Sequence, residues 1–199
     1  MKSDQMKKLR SIEDMLVEMK NTSELMVDLA YSALLFNSKE IAEELSNLED
    51  FFDKFHIDFE LAVLNVEDEL INPETKLGLI RIGVASENIA DAAAFIADIV
   101  LRGIEPHPVL KLVFEQAEET ITRCCLGKDS PLVGKTIGEA ALDDEIGMRI
   151  IAIRRVKRWY YNPPDSFKLK ERDALIVRGF LQGKEVLAQL AREDICEAE

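Results

Sequence analysis

Five pairs of acidic residues in the N-terminal half stand four apart: Asp14/Glu18, Glu24/Asp28, Glu40/Glu44, Glu49/Asp53 and Glu87/Asp91. Residues four apart share a helix face, so each pair offers two carboxylates to one hard cation. His56 and Glu60 continue the row of Glu49 and Asp53. Composition sets a background, because the 22 acids of residues 1–108 give about four such pairs by chance. Spacing alone therefore leaves both a cation site and a solvated helix face open. A second concentration is basic: Arg149, Arg154, Arg155, Lys157 and Arg158 crowd around Ile150-Ile151-Ala152-Ile153. In a strand, Ile151 and Ile153 face opposite to Ile150, Ala152 and Arg154. Such arginines can fork onto phosphate. They can equally balance the acidic helices or keep a sheet edge from pairing.

Catalytic groups are scarce. The chain has two histidines, His56 and His107, far apart in sequence. It contains no Ser/His/Asp constellation, no metalloprotease or deaminase motif, and no glycine-rich phosphate loop. A non-enzyme is expected. Cys124, Cys125 and Cys196 fit neither a disulfide framework nor a spaced zinc site, which is the pattern of a reducing compartment.

The acidic pairs need helices. One stripe runs Leu9, Ile12, Leu16, Met19, Ser23, Met26, Ala30 and Ala33. A second runs Ile41, Leu45, Leu48, Phe52, Phe55, Phe59, Ala62 and Val66. A third runs Leu79, Ile82, Ser86, Ile89, Ala93, Ile96 and Val100. Steps of three and four predict three long helices, each burying one seam. Asn37-Ser38 separates the first two, with Ser38 as cap. Asn72-Pro73 opens the third with a cap and a first-turn proline, and Gly103 ends it. Tight turns make this an antiparallel three-helix bundle. Phe51, Phe52, Phe55 and Phe59 exceed what a narrow seam needs. Either they fill the bundle's own interior or they pair it with a second copy.

The basic run needs strands. Residues 120–126, 148–155, 159–161 and 174–179 read as β, with 148–155 and 159–161 forming a hairpin. Thr136 and Glu139 form a capping box over a short helix, and residues 183–191 form a final helix. The C-terminal half is therefore a small α+β unit with an antiparallel sheet.

Charge divides the same way. The whole chain of 199 residues carries −13. Residues 1–108 hold 10 basic and 22 acidic side chains, while residues 109–199 hold 15 and 16. The composition shifts at Pro106-His107-Pro108. Domains are expected at 1–108 and 118–195, joined by a connecting segment at 109–117. The acidity argues against binding a nucleic-acid polymer. No apolar run is long enough to span a bilayer, and Met1-Lys2-Ser3-Asp4-Gln5 leads into no apolar signal region. A cytoplasmic protein is expected, or one held at the inner face of the membrane by a partner.

Two stretches carry family patterns. Ser130-Pro131-Leu132-Val133-Gly134-Lys135-Thr136-Ile137-Gly138-Glu139, then Gly147 before Ile150–Arg155, Asn162-Pro163, Phe167-Lys168-Leu169 and Asp173–Gly179, resemble the TrkA C-terminal (RCK-C) domain. The resemblance covers roughly residues 118–190. Glu87-Asn88-Ile89-Ala90-Asp91 within Glu87–Asp98 is similar to the Glu-x-x-x-Asp helix of the PhoU family. Asn88, Ala90, Ala92 and Phe95 depart from the usual Arg, Gly, His and Asn. Together the resemblances imply a homodimeric regulator of cation transport, potassium above all, acting on a separate membrane channel or transporter subunit. They imply a small ligand at the RCK-C dimer interface, with cyclic di-AMP the candidate. Arg149, Ile151, Ile153, Arg154, Arg155 and Asn162 would hold it, and Trp159, Tyr160 or Tyr161 would stack on a base. On the bundle they imply a divalent or ferric metal at Glu49, Asp53, Glu87 and Asp91. The alternative is a metal-binding phosphate-signalling protein whose RCK-C half serves mainly to dimerise.

Overall fold

A computed structural model describes residues 2–105, 107, 109, 112, 119–156 and 158–192. Pro106, Pro108, Lys157, Cys196 and most of the 109–117 segment lie outside the described residues. The chain divides into two compact units, Met1–Pro106 and His107–Glu199.

The first unit is three helices: α1 (Lys2–Phe36), α2 (Lys39–Leu64) and α3 (Pro73–Leu101). Local chemistry sets their ends. The Ser38 side chain accepts from Ile41 N, and Asn72 Oδ1 accepts from Thr75 N at 2.8 Å, with Pro73 in the first turn. Two reversed bonds close α3, Gly103 N to Val100 O at 3.0 Å and Ile104 N to Ile99 O at 3.1 Å. The α1 and α2 stripes are the buried ones. Met19, Met26, Ala30 and Ala33 of α1 and Ile41, Leu45, Phe52 and Phe59 of α2 are all buried. Phe52 and Phe59 thus belong to the interior, whereas Phe51 is exposed and stacks on Phe55 at 5.7 Å.

The third stripe is corrected in part, since only its Ala93 and Val100 are buried. α3 buries Lys76, Gly83, Ala90, Ala93, Ala97 and Val100, while Ile82 and Ile89 stand in water. Packing explains the choice of face. α1 and α2 already supply large side chains, so α3 turns its small side inward. A Cβ on Gly83 would lie 2.9 Å from the Phe59 ring, so this contact requires glycine.

The second unit is a four-stranded antiparallel sheet in the order β1-β4-β2-β3. Its strands are β1 (Glu119–Cys125), β2 (Met148–Arg155), β3 (Arg158–Tyr161) and β4 (Ala174–Phe180). Short helices α4 (Ile137–Ala140) and α5 (Leu142–Ile146) precede β2, and α6 (Leu181–Ala191) follows β4. The expected capping box is present: Glu139 N donates to Thr136 Oγ1 at 3.2 Å, and Thr136 N donates to Glu139 Oε2 at 2.8 Å. Gly147, at φ 64°, turns α5 into β2. One face of the sheet carries the core of Leu126, Leu132, Met148, Ile153, Leu175 and Leu187.

One expectation changes here. β2 has a bulge: Ile150 pairs with Val177 and Ala152 with Ile176, leaving Ile151 as the extra residue. The bulge shifts the alternation, so Ile150 and Ile153 share the core face instead of opposing each other. Cys124 is a buried thiol in the core, and Cys125 beside it is buried as well.

Candidate functional site

Each unit gathers one group of side chains able to hold a ligand. In the helical unit, α2 supplies Glu49 and Asp53 from successive turns, and α3 brings Asp91 against them. One carboxylate oxygen from each lies within 4.8 Å of the other two. Burial, and then the charges of Asp53, Asp50 and Asp91, push the Glu49 carboxyl above its ordinary value. Three like charges held together form a field that a cation would relieve. An all-oxygen donor set suits a hard ion such as Mg²⁺, Ca²⁺ or Fe³⁺. A cleft of about 310 Å³ between α2 and α3 reaches from Glu49 and Asp91 to Asp98 and Leu101.

Glu87 does not join this group. It lies 3.5 Å from His56 Nδ1, while Glu60 lies 3.4 Å from His56 Nε2. His56 is buried at the α2–α3 seam. One imidazole thus sits between two carboxylates, one turn beyond the three-carboxylate group.

In the sheet unit, a cleft of about 370 Å³ opens between α4, α5, the start of β2 and the loop after β3. The bulge and its neighbours build it. Asn162 N donates to Ile151 O at 3.0 Å, so the bulged carbonyl anchors the Asn162-Pro163 turn. Asn162 takes the left-handed backbone, φ 38°, which asparagine tolerates better than most residues. Gly138 N donates to Asp165 O at 2.9 Å and ties α4 to the other side of the turn. Arg149, Ile150, Asn162 and Pro163 line the cleft, together with Asp143, Asp144 and Asp165. Arg149 and Asn162 are both exposed, so an incoming ligand meets a hydrated guanidinium rather than a buried one.

Residues 16–100 match the PhoU domain, and residues 126–186 match the TrkA-C domain. The chain joins a PhoU domain to a TrkA-C domain. No curated protein matches it. Among solved structures, it is similar to the RCK_C domain dimer of S. agalactiae BusR in complex with c-di-AMP. That match has 19% identity over 36% of this chain and 95% of the other, with a TM-score of 0.34. It is also similar to the RCK C domain of the potassium transport protein KtrA in complex with cyclic diadenosine monophosphate, at 23% identity over 41% and 94% of the two chains, TM-score 0.34. A third is the GsuK channel bound to NAD, at 21% identity over 58% and 21%, TM-score 0.35.

In the TrkA-C domain, two of the six expected ligand residues, Arg149 and Asn162, meet at the cleft. The other four lie elsewhere. Ile151 is buried at the bulge and Ile153 is in the core. Arg154 Nε donates to Val156 O at 3.2 Å, within the β2–β3 turn. Arg155 is committed to structure. Its Nε and one Nη donate to the two oxygens of Asp173 at 2.7 and 2.8 Å, and that Nη also reaches Lys168 O. Asp173 is fully buried and also accepts from Lys170 N. The Asp173 bonds raise the Arg155 pKa above its ordinary value. The aromatics also lie apart from the cleft lining. Tyr160 packs against Phe167 at 5.0 Å, and Trp159 stacks on Tyr161 at 6.0 Å. Pro163, Asp143, Asp144 and Asp165 are cleft residues that the sequence did not suggest. Pro163 follows directly on Asn162, and the aspartate pair sits just past the capping box.

In the PhoU domain, Glu49, Asp53 and Asp91 lie together, while Glu87 lies beside His56. Among the described residues, no helix is long and apolar enough to cross a membrane.

Proposed function

We propose that this chain is a non-catalytic regulator of potassium transport that senses a small phosphate-bearing ligand through its TrkA-C domain. The observation that carries the reading is the cleft where the β2 bulge brings Arg149 and Asn162 together. Arg149 offers a forked donor to a phosphate, and the exposed Asn162 amide offers both a donor and an acceptor. Asp143, Asp144 and Asp165 favour a ligand that brings hydrogen-bond donors beside its phosphates, as the amino groups of adenine do. Cyclic di-AMP has both. The regulator works as a homodimer, and its response passes to a separate membrane channel or transporter subunit, at the cytoplasmic face. Ligand shifts the state of that partner only through different affinities for two arrangements of the dimer.

Calorimetry on the full chain tests the reading. Cyclic di-AMP should bind with measurable heat. Arg149→Ala should weaken it at least tenfold, and Asn162→Ala should weaken it less. No heat with the unsubstituted chain up to the solubility of the ligand would remove cyclic di-AMP. Equal binding by Arg149→Ala would remove the cleft.

The three-carboxylate group favours a second reading. In it the PhoU domain holds a divalent or ferric metal at Glu49, Asp53 and Asp91 in phosphate signalling, and the TrkA-C domain mainly dimerises. Metal analysis after mild dialysis separates the two. Retained or rebound metal that is lost in Asp53→Ala/Asp91→Ala supports this reading, and an empty protein that rebinds none rejects it.

A further inference from the structure

α3 is apolar on two sides, and only one of them is used. The inner side, Gly83, Ala90, Ala93 and Ala97, is buried in the bundle. The outer side carries Ile82, Ala85, Ile89, Ala92, Ile96 and Ile99, in steps that alternate three and four. This is the spacing of a coiled-coil seam. Ile82 and Ile89 are 54% and 47% exposed. Ala85 and Ala92 are exposed as well. Together they form one continuous apolar strip in water, unlike apolar side chains scattered singly over a surface.

We infer that this stripe is where a second copy of the chain docks, with the two α3 helices antiparallel. Charge selects the occupant. The helical half carries a net −12, from 10 basic and 22 acidic side chains, so most faces of two copies would repel. The stripe itself holds no acid. Between Ile82 and Leu101 the acids of α3 are Glu87, Asp91 and Asp98, and all three turn to the α2 side, toward His56 or the α2–α3 cleft. A lipid surface fits poorly, because a membrane-lying helix needs a rim of lysines and arginines, and α3 has only Arg81 on this side. Shape selects a copy of the same helix. With the two-fold axis between positions 90 and 91, Ile89 faces the partner's Ala92, and Ile96 faces the partner's Ala85. Ile82 then meets the partner's Ile99. Large against small in each central layer lets the helices approach closely and interlock. The seam spans roughly 25 Å of helix. It is separate from any pairing of TrkA-C domains and stands whether or not the cleft binds a nucleotide.

Intermolecular distances between spin labels on the full chain test this, with the unsubstituted chain as the labelling control. A label at Asn88→Cys lies beside the axis and should report a separation under about 20 Å, and one at Thr75→Cys should report about 45 Å, from 1.5 Å per residue on either side of the axis. Adding Ala92→Glu to the Asn88→Cys protein should abolish the short distance and leave helicity unchanged. A long 88–88 distance in a dimer would place the contact elsewhere and overturn the seam. Short distances at both positions would overturn the antiparallel register. A monomer by sedimentation at the labelling concentration, or a short distance that survives Ala92→Glu, would overturn the inference altogether.

Discussion

Charge is handled in opposite ways in the two units. Arg155 and Asp173 bring one buried carboxylate and one guanidinium into a forked contact, and every oxygen of Asp173 has a donor. Glu49, Asp53 and Asp91 bring three carboxylates together, and the charges that act on Glu49 are all acidic. The first arrangement is complete in itself and holds β2 to the turn before β4. The second is incomplete and raises the proton affinity of its own member, Glu49. The contrast separates structural charge from charge that waits for a ligand. It also explains why the most basic strand offers only Arg149 to the cleft.

The largest effect should come from breaking the completed pair. Arg155→Ala leaves Asp173 buried and unpaired, which costs about 3–5 kcal/mol. Arg155→Lys should recover little, because an ammonium cannot reproduce the fork. Arg149→Ala, at an exposed position, should stay within about 0.5 kcal/mol of the parent. Urea unfolding of the three variants checks this. A stability loss at Arg149 as large as at Arg155 would erase the distinction between a structural and an available arginine.

The two sides of α3 sharpen the comparison in apolar terms. Gly83→Val must displace the buried Phe59 ring and should cost about 1–3 kcal/mol. A Cβ on Gly78 would meet nothing within 4 Å, so Gly78→Ala should stabilise the helix by up to about 1 kcal/mol. Adding a side chain to one helix then has opposite signs at its inner and outer glycines. Thermal unfolding reads both. Equal signs would mean that the Phe59 contact is not a constraint.

What was legible in the sequence was local. Ser38, Asn72 and the Thr136/Glu139 pair act on groups three residues away, so their types and spacing suffice to place helix starts. The α1 and α2 stripes were legible because their largest side chains recur in steps of three and four and turn inward together. α3 was misread because it is apolar on two sides, and only docking against α1 and α2 decides which of them turns inward. The bulge at Ile151 was hidden for a similar reason, since it exists only in the pairing of β2 with β4. Glu49/Asp53 could be seen as a pair, whereas Asp91 joins it through the α2–α3 contact. His56 took Glu87 away by the same contact. Arg155 and Asp173 are 18 residues apart, and the topology that brings them together leaves no mark at helical or strand spacing.

The smallest effect tests the incomplete group. Burial and three neighbouring carboxylates raise Glu49 above 4.5 in the folded chain. Between that unfolded value and the raised one, the folded state binds more protons, so stability falls as pH rises through the window. At neutral pH the penalty is complete, and below about pH 4 it vanishes, because the carboxyl is protonated in both states. Glu49→Gln removes the penalty. In chelator at pH 7 the variant should be more stable than the parent, by no more than about 0.5 kcal/mol, since solvent screens a partly exposed group. At pH 4 the two should coincide. Adding Mg²⁺ or Ca²⁺ should reverse the order, because a cation that binds only the folded state stabilises the intact group by mass action, and the variant has one ligand fewer. Paired melts with chelator and with each cation read both halves. If the variant gains nothing in chelator and neither ion raises the parent, the three carboxylates are a solvated helix face.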